Sequence, residues 1–254
     1  MGHYRKKNSL FVKLIKLIIL IHVVILSVGG VLLLAYKFVN PPTTSLALYR
    51  EYFKQVKNKP FKFVPLKKIP YSAKVDLIRL EDPSFRNHHG LDLRAMWEAY
   101  KINRRYGKKI AGGSTITQQI TRTLLLTPHK NYIRKYVEVL LALEMEVLLS
   151  KDRILELYFN YVEFGKGVYG IGQGAYYHYQ RDLSQLSNGE IARLIIILPS
   201  PVKYGVNDIG KKRAFIRRSN ILFRPEPQII NEMPTPAQIQ EADTDDVSDD
   251  DSII

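Results

Sequence analysis

Apolar side chains dominate from Leu17 to Tyr36, LIILIHVVILSVGGVLLLAY, twenty positions without a formal charge when His22 is neutral. At a rise of ~1.5 Å per residue a helix of that length crosses a hydrocarbon layer of about 30 Å. Arg5, Lys6, Lys7, Lys13 and Lys16 precede the run and Lys37 alone comes closely after it. The positive-inside bias therefore keeps the N-terminus in the cytoplasm and exports the rest of the chain. The run is long for a cleaved signal peptide and no clear small-x-small site comes after it, so residues 17–36 read as an uncleaved anchor behind a basic cytoplasmic segment, 1–16.

Residues 37–70 contain Pro41, Pro42, Pro60, Pro65 and Pro70. They read as a juxtamembrane connector holding one helix near Leu46 to Val56. From Val75 to about Arg224 the apolar spacing becomes helical, which gives a mainly α domain over 71–224. Asp92 caps a helix carrying Leu93, Met96, Trp97 and Tyr100. Thr115 and Gln118 have capping-box spacing ahead of Ile120 and Leu124, and Pro128 closes that helix. The clearest helix runs from Tyr132 to Leu149, and two more are expected over Lys151–Asn160 and Asn188–Leu198. Gly165 to Gly174 reads as glycine-rich turns. The last segment, 225–254, begins with Pro225, Pro227, Pro234 and Pro236 and ends in an acidic run; it reads as a disordered tail. There is no internal repeat.

Charge narrows the partners. The formal charge is +14, and with the seven acids of EADTDDVSDDD (241–251) set aside it is +21. A body this basic favours polyanions: nucleic acid, an anionic membrane face or phosphorylated substrates. An exporting anchor removes nucleic acid from that choice. Cysteine is absent, which excludes disulfides and thiolate chemistry.

Three constellations carry candidate chemistry. In EDPSFRNHHG (81–90), Asp82 precedes a proline and is pushed out of the helical region, so a helix should end at Glu81. A carboxylate at a carboxyl helix end, walled by Phe85 and His88, suits a general acid or base; a solvated helix stop gives the same residues. In GGSTITQQ (112–119), two glycines, the hydroxyls of Ser114 and Thr115 and the carboxamides of Gln118 and Gln119 surround a helix start that suits an anion or a sugar. The plain reading is a hinge with a capping box. Arg122 lies one turn on. In RKYVE (134–138), Arg134 and Glu138 are four apart with the base first, the weaker order for a helix staple. With Lys130 upstream, a stripe of Lys130, Arg134 and Glu138 is expected, and Lys135 is adjacent.

Other signals are weaker. His88 and His89 are neighbours without an HExxH pattern, which speaks against zinc. Ser200 to Lys203 has SxxK spacing, but no KTG accompanies it. Lys211, Lys212, Arg213, Arg217 and Arg218 fit either a phosphate site or a solvated or lipid-facing helix face.

Taken in order, EDPSF with His88 and Gly90, GGSTITQQ, RKYVE, ILELYFN running into Gly165, Gly167 and Gly170, and LSNGEIARLIIILPSP resemble the family 51 glycosyltransferases, and most closely the monofunctional biosynthetic peptidoglycan transglycosylases. The resemblance covers roughly residues 71–205 plus the anchor. It implies a mostly helical, lysozyme-like domain with an apolar flap dipping into the bilayer of a bacterial inner membrane. It implies lipid II and the growing glycan strand as partners beside membrane lipid, with other wall-synthesis proteins as further candidates. It also implies a β-1,4 polymerisation with inversion and release of undecaprenyl pyrophosphate. By that resemblance Glu81 is the general base and Glu138 the second essential carboxylate. Asp82, Phe85, His88, Ser114, Thr115, Gln118, Gln119, Arg122, Lys130, Arg134, Lys135 and Arg181 line the substrate. No metal site and no obligatory cofactor are implied, though a divalent Mg2+ or Mn2+ can support the cations. Arg122 and Thr123 stand where the family usually has Lys and Asn. YHYQRD around Arg181, and Gly172 and Gly174, also depart from its pattern. A glycan-cleaving lysozyme-like enzyme and a non-enzymatic membrane-tethered scaffold remain as alternatives. Cations around the carboxylates favour phosphate chemistry over the first.

Overall fold

The computed structural model describes residues 2–108 and 110–223; the tail 225–254 lies outside them. The first helix, α1, is continuous over Gly2–Phe38, and its stretch Leu10–Phe38, which contains an 18-residue window of mean hydropathy 2.9, is long and apolar enough to cross a membrane. A second helix, α2 (Ser45–Lys54), starts where the Thr44 side chain accepts from the Ala47 N–H and stops at Gln55 in a left-handed turn. Then come α3 (Tyr71–Glu81), α4 (Leu93–Tyr106), α5 (Ile116–Leu125), α6 (Tyr132–Leu148) and α7 (Lys151–Tyr161). The caps anticipated from sequence are present: Asp92 accepts from the Ala95 N–H, and Thr115 and Gln118 close a reciprocal box. Asn131 and Ser150 cap α6 and α7 in the same way.

The region expected as glycine-rich turns is more ordered than that. A two-stranded antiparallel hairpin, β1 (Glu163–Gly165) with β2 (Val168–Tyr169), leads into α8 (Ile171–Tyr179). Two further helices, α9 (Asn188–Ile196) and α10 (Arg213–Phe223), complete the described chain.

One core joins these helices. Leu77 of α3, Ile116 and Ile120 of α5, Met145 of α6, Phe159 of α7 and Ile195 of α9 are all buried in it. Each such side chain contributes about 1.5–3 kcal/mol by leaving water. The stretch read as a connector folds into the same body. Asn160 accepts from the Val64 N–H and donates to its carbonyl, while the Lys59 N–H donates to the Gly167 carbonyl. The anchor also packs on the domain. His22 meets the Tyr136 hydroxyl at 2.8 Å, Gly29 and Gly30 seat against Leu141 and Glu144, and Arg153 donates to the Tyr36 carbonyl. Contacts that advance together along both chains mean that α1 and α6 run in the same direction. The N-terminal turn of α6, with Tyr132 and Ile133 exposed, therefore lies beside the apolar part of α1.

Candidate active site

Glu81 is the last residue of α3, as the Asp82-Pro83 step requires. Its carboxylate points at two other helices. Oε2 accepts from Gln119 Nε2 at 3.0 Å, and Oε1 accepts from Arg218 Nη2 at 2.6 Å. Gln119 is fixed in turn, because the buried Tyr158 hydroxyl donates to its Oε1 at 2.9 Å. Burial pushes that phenol well above its usual range, which keeps it a donor. Arg218 also donates to the carbonyls of Ile195 and Ile196, in the last turn of α9. One guanidinium thus ties α3, α9 and α10 together around Glu81.

Phe85 and His88 do not wall Glu81. Phe85 is fully buried in the core, with the Lys151 ammonium 4.5 Å from its ring centre. The Gly90 N–H donates to His88 Nδ1, so Nε2 carries the proton and donates to Asp82 at 2.9 Å. Asp82 in turn accepts from the Ile116 N–H at 2.9 Å. Burial raises the Asp82 carboxyl above the usual range, and the Ile116 N–H and His88 partly offset this. The start of α5 is therefore not an open anion site: its first N–H groups are taken by Asp82 and by the box of Thr115 and Gln118. Thr115 additionally donates to the Gly90 carbonyl at 2.6 Å. Gly113 serves close packing, since a Cβ there would meet Met96 Cα at 2.8 Å. Asp82, His88, Thr115 and Gln118 act as a brace that sets α5 against the end of α3, and so aims Gln119 at Glu81.

The second carboxylate, Glu138, is fully buried on α6. Arg134 Nη1 reaches its Oε2 at 2.6 Å and Lys135 Nζ its Oε1 at 2.5 Å. Arg134 Nε donates to the His129 carbonyl and Lys135 to the Ser114 hydroxyl. The expected three-residue stripe loses a member, because α6 begins after its Asn131 cap and leaves Lys130 exposed in the preceding loop. Arg122 lies on α5, one turn beyond Gln119. Its side chain makes no hydrogen bond among the described residues, and it lies within electrostatic reach of both Glu138 and Glu81. Burial lowers its pKa, with Glu138 working against that.

Arg122, Gln119, Thr123 and Tyr158 line a cleft closed on its other sides by Leu46, Arg50, Glu163 and the Leu198–Val202 segment. Arg181 is not part of it: it pairs with Glu190 and braces the link from α8 to α9. Sequence reasoning assigned no role at Glu81 to Arg218, which it placed in a generic basic run, and it passed over Tyr158 and the Arg50–Glu163 pair. No group of three His, Asp or Glu side chains suited to a metal occurs among the described residues.

A family profile described as Transglycosylase matches residues 49–225. The chain belongs to the transglycosylase family. Its lysozyme-like, mostly helical class agrees with the helices described above. Similar proteins named biosynthetic peptidoglycan transglycosylase include one from Herminiimonas arsenicoxydans, 39% identical over 73% of this chain and 81% of that protein. Another, from Pseudomonas putida, is 37% identical over 74% and 83%. A third, from Burkholderia thailandensis, is 44% identical over 55% of each. The match of this transglycosylase to its family begins within α2, so the helix that carries Arg50 belongs to the family domain.

Proposed function

We propose that this transglycosylase is a peptidoglycan glycosyltransferase that polymerises lipid II on the outer side of a bacterial inner membrane, held there by α1 with the N-terminus in the cytoplasm. Glu81 is the general base. Each of its oxygens accepts one hydrogen bond and keeps lone-pair capacity for a proton. It takes the proton of the acceptor sugar's 4-hydroxyl as that oxygen attacks the donor's anomeric carbon from the face opposite the leaving group. The anomeric C–O bond breaks with inversion, and its electron pair leaves on the lipid pyrophosphate.

Arg122, Arg134 and Lys135, with Lys130 from the exposed loop, receive that developing charge. Preorganised cations aimed at charge that grows in the transition state are often the largest catalytic contribution. Glu138 holds Arg134 and Lys135 in place. Both of its oxygens are occupied by them. The apolar first turn of α6 and the exposed Leu93, Trp97 and Tyr100 of α4 fit a lipid surface that delivers an undecaprenyl-linked substrate.

The observation that carries this reading is Arg122, an unpaired cation within reach of both Glu81 and Glu138. A glycan hydrolase has no use for a phosphate-binding charge there. Incubation of the full chain with labelled lipid II tests it: longer glycan supports polymerisation. Shortening of preformed glycan points to a hydrolase, and no change in either points to a scaffold; both outcomes contradict the proposal.

A further inference from the structure

Arg50 belongs to α2, ahead of every sequence motif, yet it lines the cleft beside Gln119 and Arg122. Its Nη2 donates to Glu163 Oε2 at 2.9 Å, with the two side chains only 11% and 7% exposed. A single acid does not satisfy a guanidinium with five N–H groups. Nε is buried without a partner, and besides the bond from Nη2 to Glu163 the guanidinium lies within reach of the Tyr169 hydroxyl. Glu163 is committed on its other side, where Oε1 accepts from the Gly167 N–H at 3.1 Å. Burial pushes the Glu163 carboxyl upward, and Arg50 partly offsets this. The Arg122 side chain, on the same cleft, has no hydrogen bond of its own among the described residues. Two guanidiniums therefore share one cleft with one carboxylate, beside apolar walls from Leu126, Leu198 and Pro199. Such a cleft lacks one anionic group.

We propose that Arg50 is a further substrate-binding residue, oriented by Glu163, which together with Arg122 takes an oxyanion of the lipid-linked sugar substrate. The inference rests on the polymerase reading above. A planar guanidinium fork matches phosphate and carboxylate oxygens alike. The lipid diphosphate and a carboxylate of the peptide stem are the two sources of that chemistry. Glu163 is a positioning residue under this assignment.

A purely structural tie between α2 and β1 makes a different prediction, because Arg50→Ala and Glu163→Gln both break the pair. Initial rates of glycan synthesis by the full chain, as a function of lipid II concentration, separate the two. Arg50→Ala should raise KM roughly 10- to 100-fold, the equivalent of one lost charge-assisted hydrogen bond, with kcat within about threefold. Glu163→Gln, which keeps the cation and an acceptor for Gly167 but loosens the hold on Arg50, should raise KM less, by about three- to fivefold. Arg50→Lys, which keeps the charge and loses the fork, should fall between them; it also carries the test if Arg50→Ala does not fold.

Inorganic pyrophosphate as competitor identifies the source. Inhibition weakened by Arg50→Ala in step with KM assigns the diphosphate. Unchanged inhibition, with the Arg50→Ala defect disappearing on a substrate without its peptide, assigns the carboxylate. Equal effects of Arg50→Ala and Glu163→Gln on KM, or no effect of either Arg50 variant, overturn the inference while wild-type polymerisation still stands. Absence of polymer from the wild type overturns the polymerase reading itself.

Discussion

Replacing Arg218 with Ala removes three contacts at once: the ion pair to Glu81 and the hydrogen bonds to the carbonyls of Ile195 and Ile196. The Arg218 and Glu81 side chains are only 14% and 11% exposed, so solvent screens the pair little. Removing one partner of a buried pair leaves the other charge uncompensated, at a cost of ~3–5 kcal/mol. The lower end applies here, because Gln119 still donates to Glu81. About 3 kcal/mol corresponds to a thermal midpoint roughly 6–12 °C lower for a domain of this size. The mechanism behind the number is tested by a double-mutant cycle with Glu81→Gln, which removes the stranded charge. The double variant should recover about half of the loss, a coupling of ~1.5 kcal/mol or more between directly contacting groups. Thermal unfolding of the detergent-solubilised chain, monitored by helical circular dichroism, measures all four corners. A cycle that adds to within ~0.5 kcal/mol would mean that Arg218 stabilises α9 and α10 without holding Glu81, and the positioning argument would fail.

Three further outcomes are expected. Arg134→Ala and Lys130→Ala should weaken donor binding more than acceptor binding. The change should be about tenfold for Arg134, whose pair with Glu138 is well buried, and smaller for the exposed Lys130; equal losses at both subsites in steady-state kinetics would contradict a phosphate clamp. For Asp82, burial raises the carboxyl in the folded state, so the folded chain binds that proton more readily than the unfolded one. The associated penalty is absent below the ordinary carboxylate range and fully present above the raised value. The stability of wild type relative to Asp82→Asn should therefore rise as pH falls through that window in denaturant titrations, and a difference that falls would reverse the sign. At Gly29, a Cβ would stand 2.3 Å from Leu141 Cδ2. Gly29→Val should therefore wedge α1 from α6 and destabilise the domain by ~1–3 kcal/mol, and an unchanged thermal midpoint would separate the anchor from the domain.

The helices with alternating faces and ordinary caps were legible because their signals are local. Asp92, and Thr115 with Gln118, announced helix starts that the structure contains. The helix missed, α8, follows the equally unexpected β1–β2 hairpin and begins in a glycine-rich stretch whose residues serve close packing: a Cβ on Gly172 would meet Val64 Cγ2 at 2.9 Å, and one on Gly174 would meet Phe164 at 2.8 Å. Helix propensity gives the wrong answer where tertiary packing needs the missing side chain. At the site, Arg134 and Glu138 could be paired from a four-residue spacing. Arg218 and Glu81 are 137 positions apart, and no periodicity brings them together. The brace of Asp82, His88 and the start of α5 was misread for a related reason: hydroxyl, carboxamide and backbone donors at a helix start look the same in sequence whether they face a ligand or a neighbouring carboxylate.

The most direct test of the central claim is the initial rate of lipid II polymerisation by Glu81→Gln, measured beside a circular dichroism spectrum of the same preparation. Loss of a general base predicts a fall of about 10²- to 10⁴-fold with the helical signal unchanged. A rate within about tenfold of the wild type would contradict Glu81 as the residue that accepts the acceptor's proton.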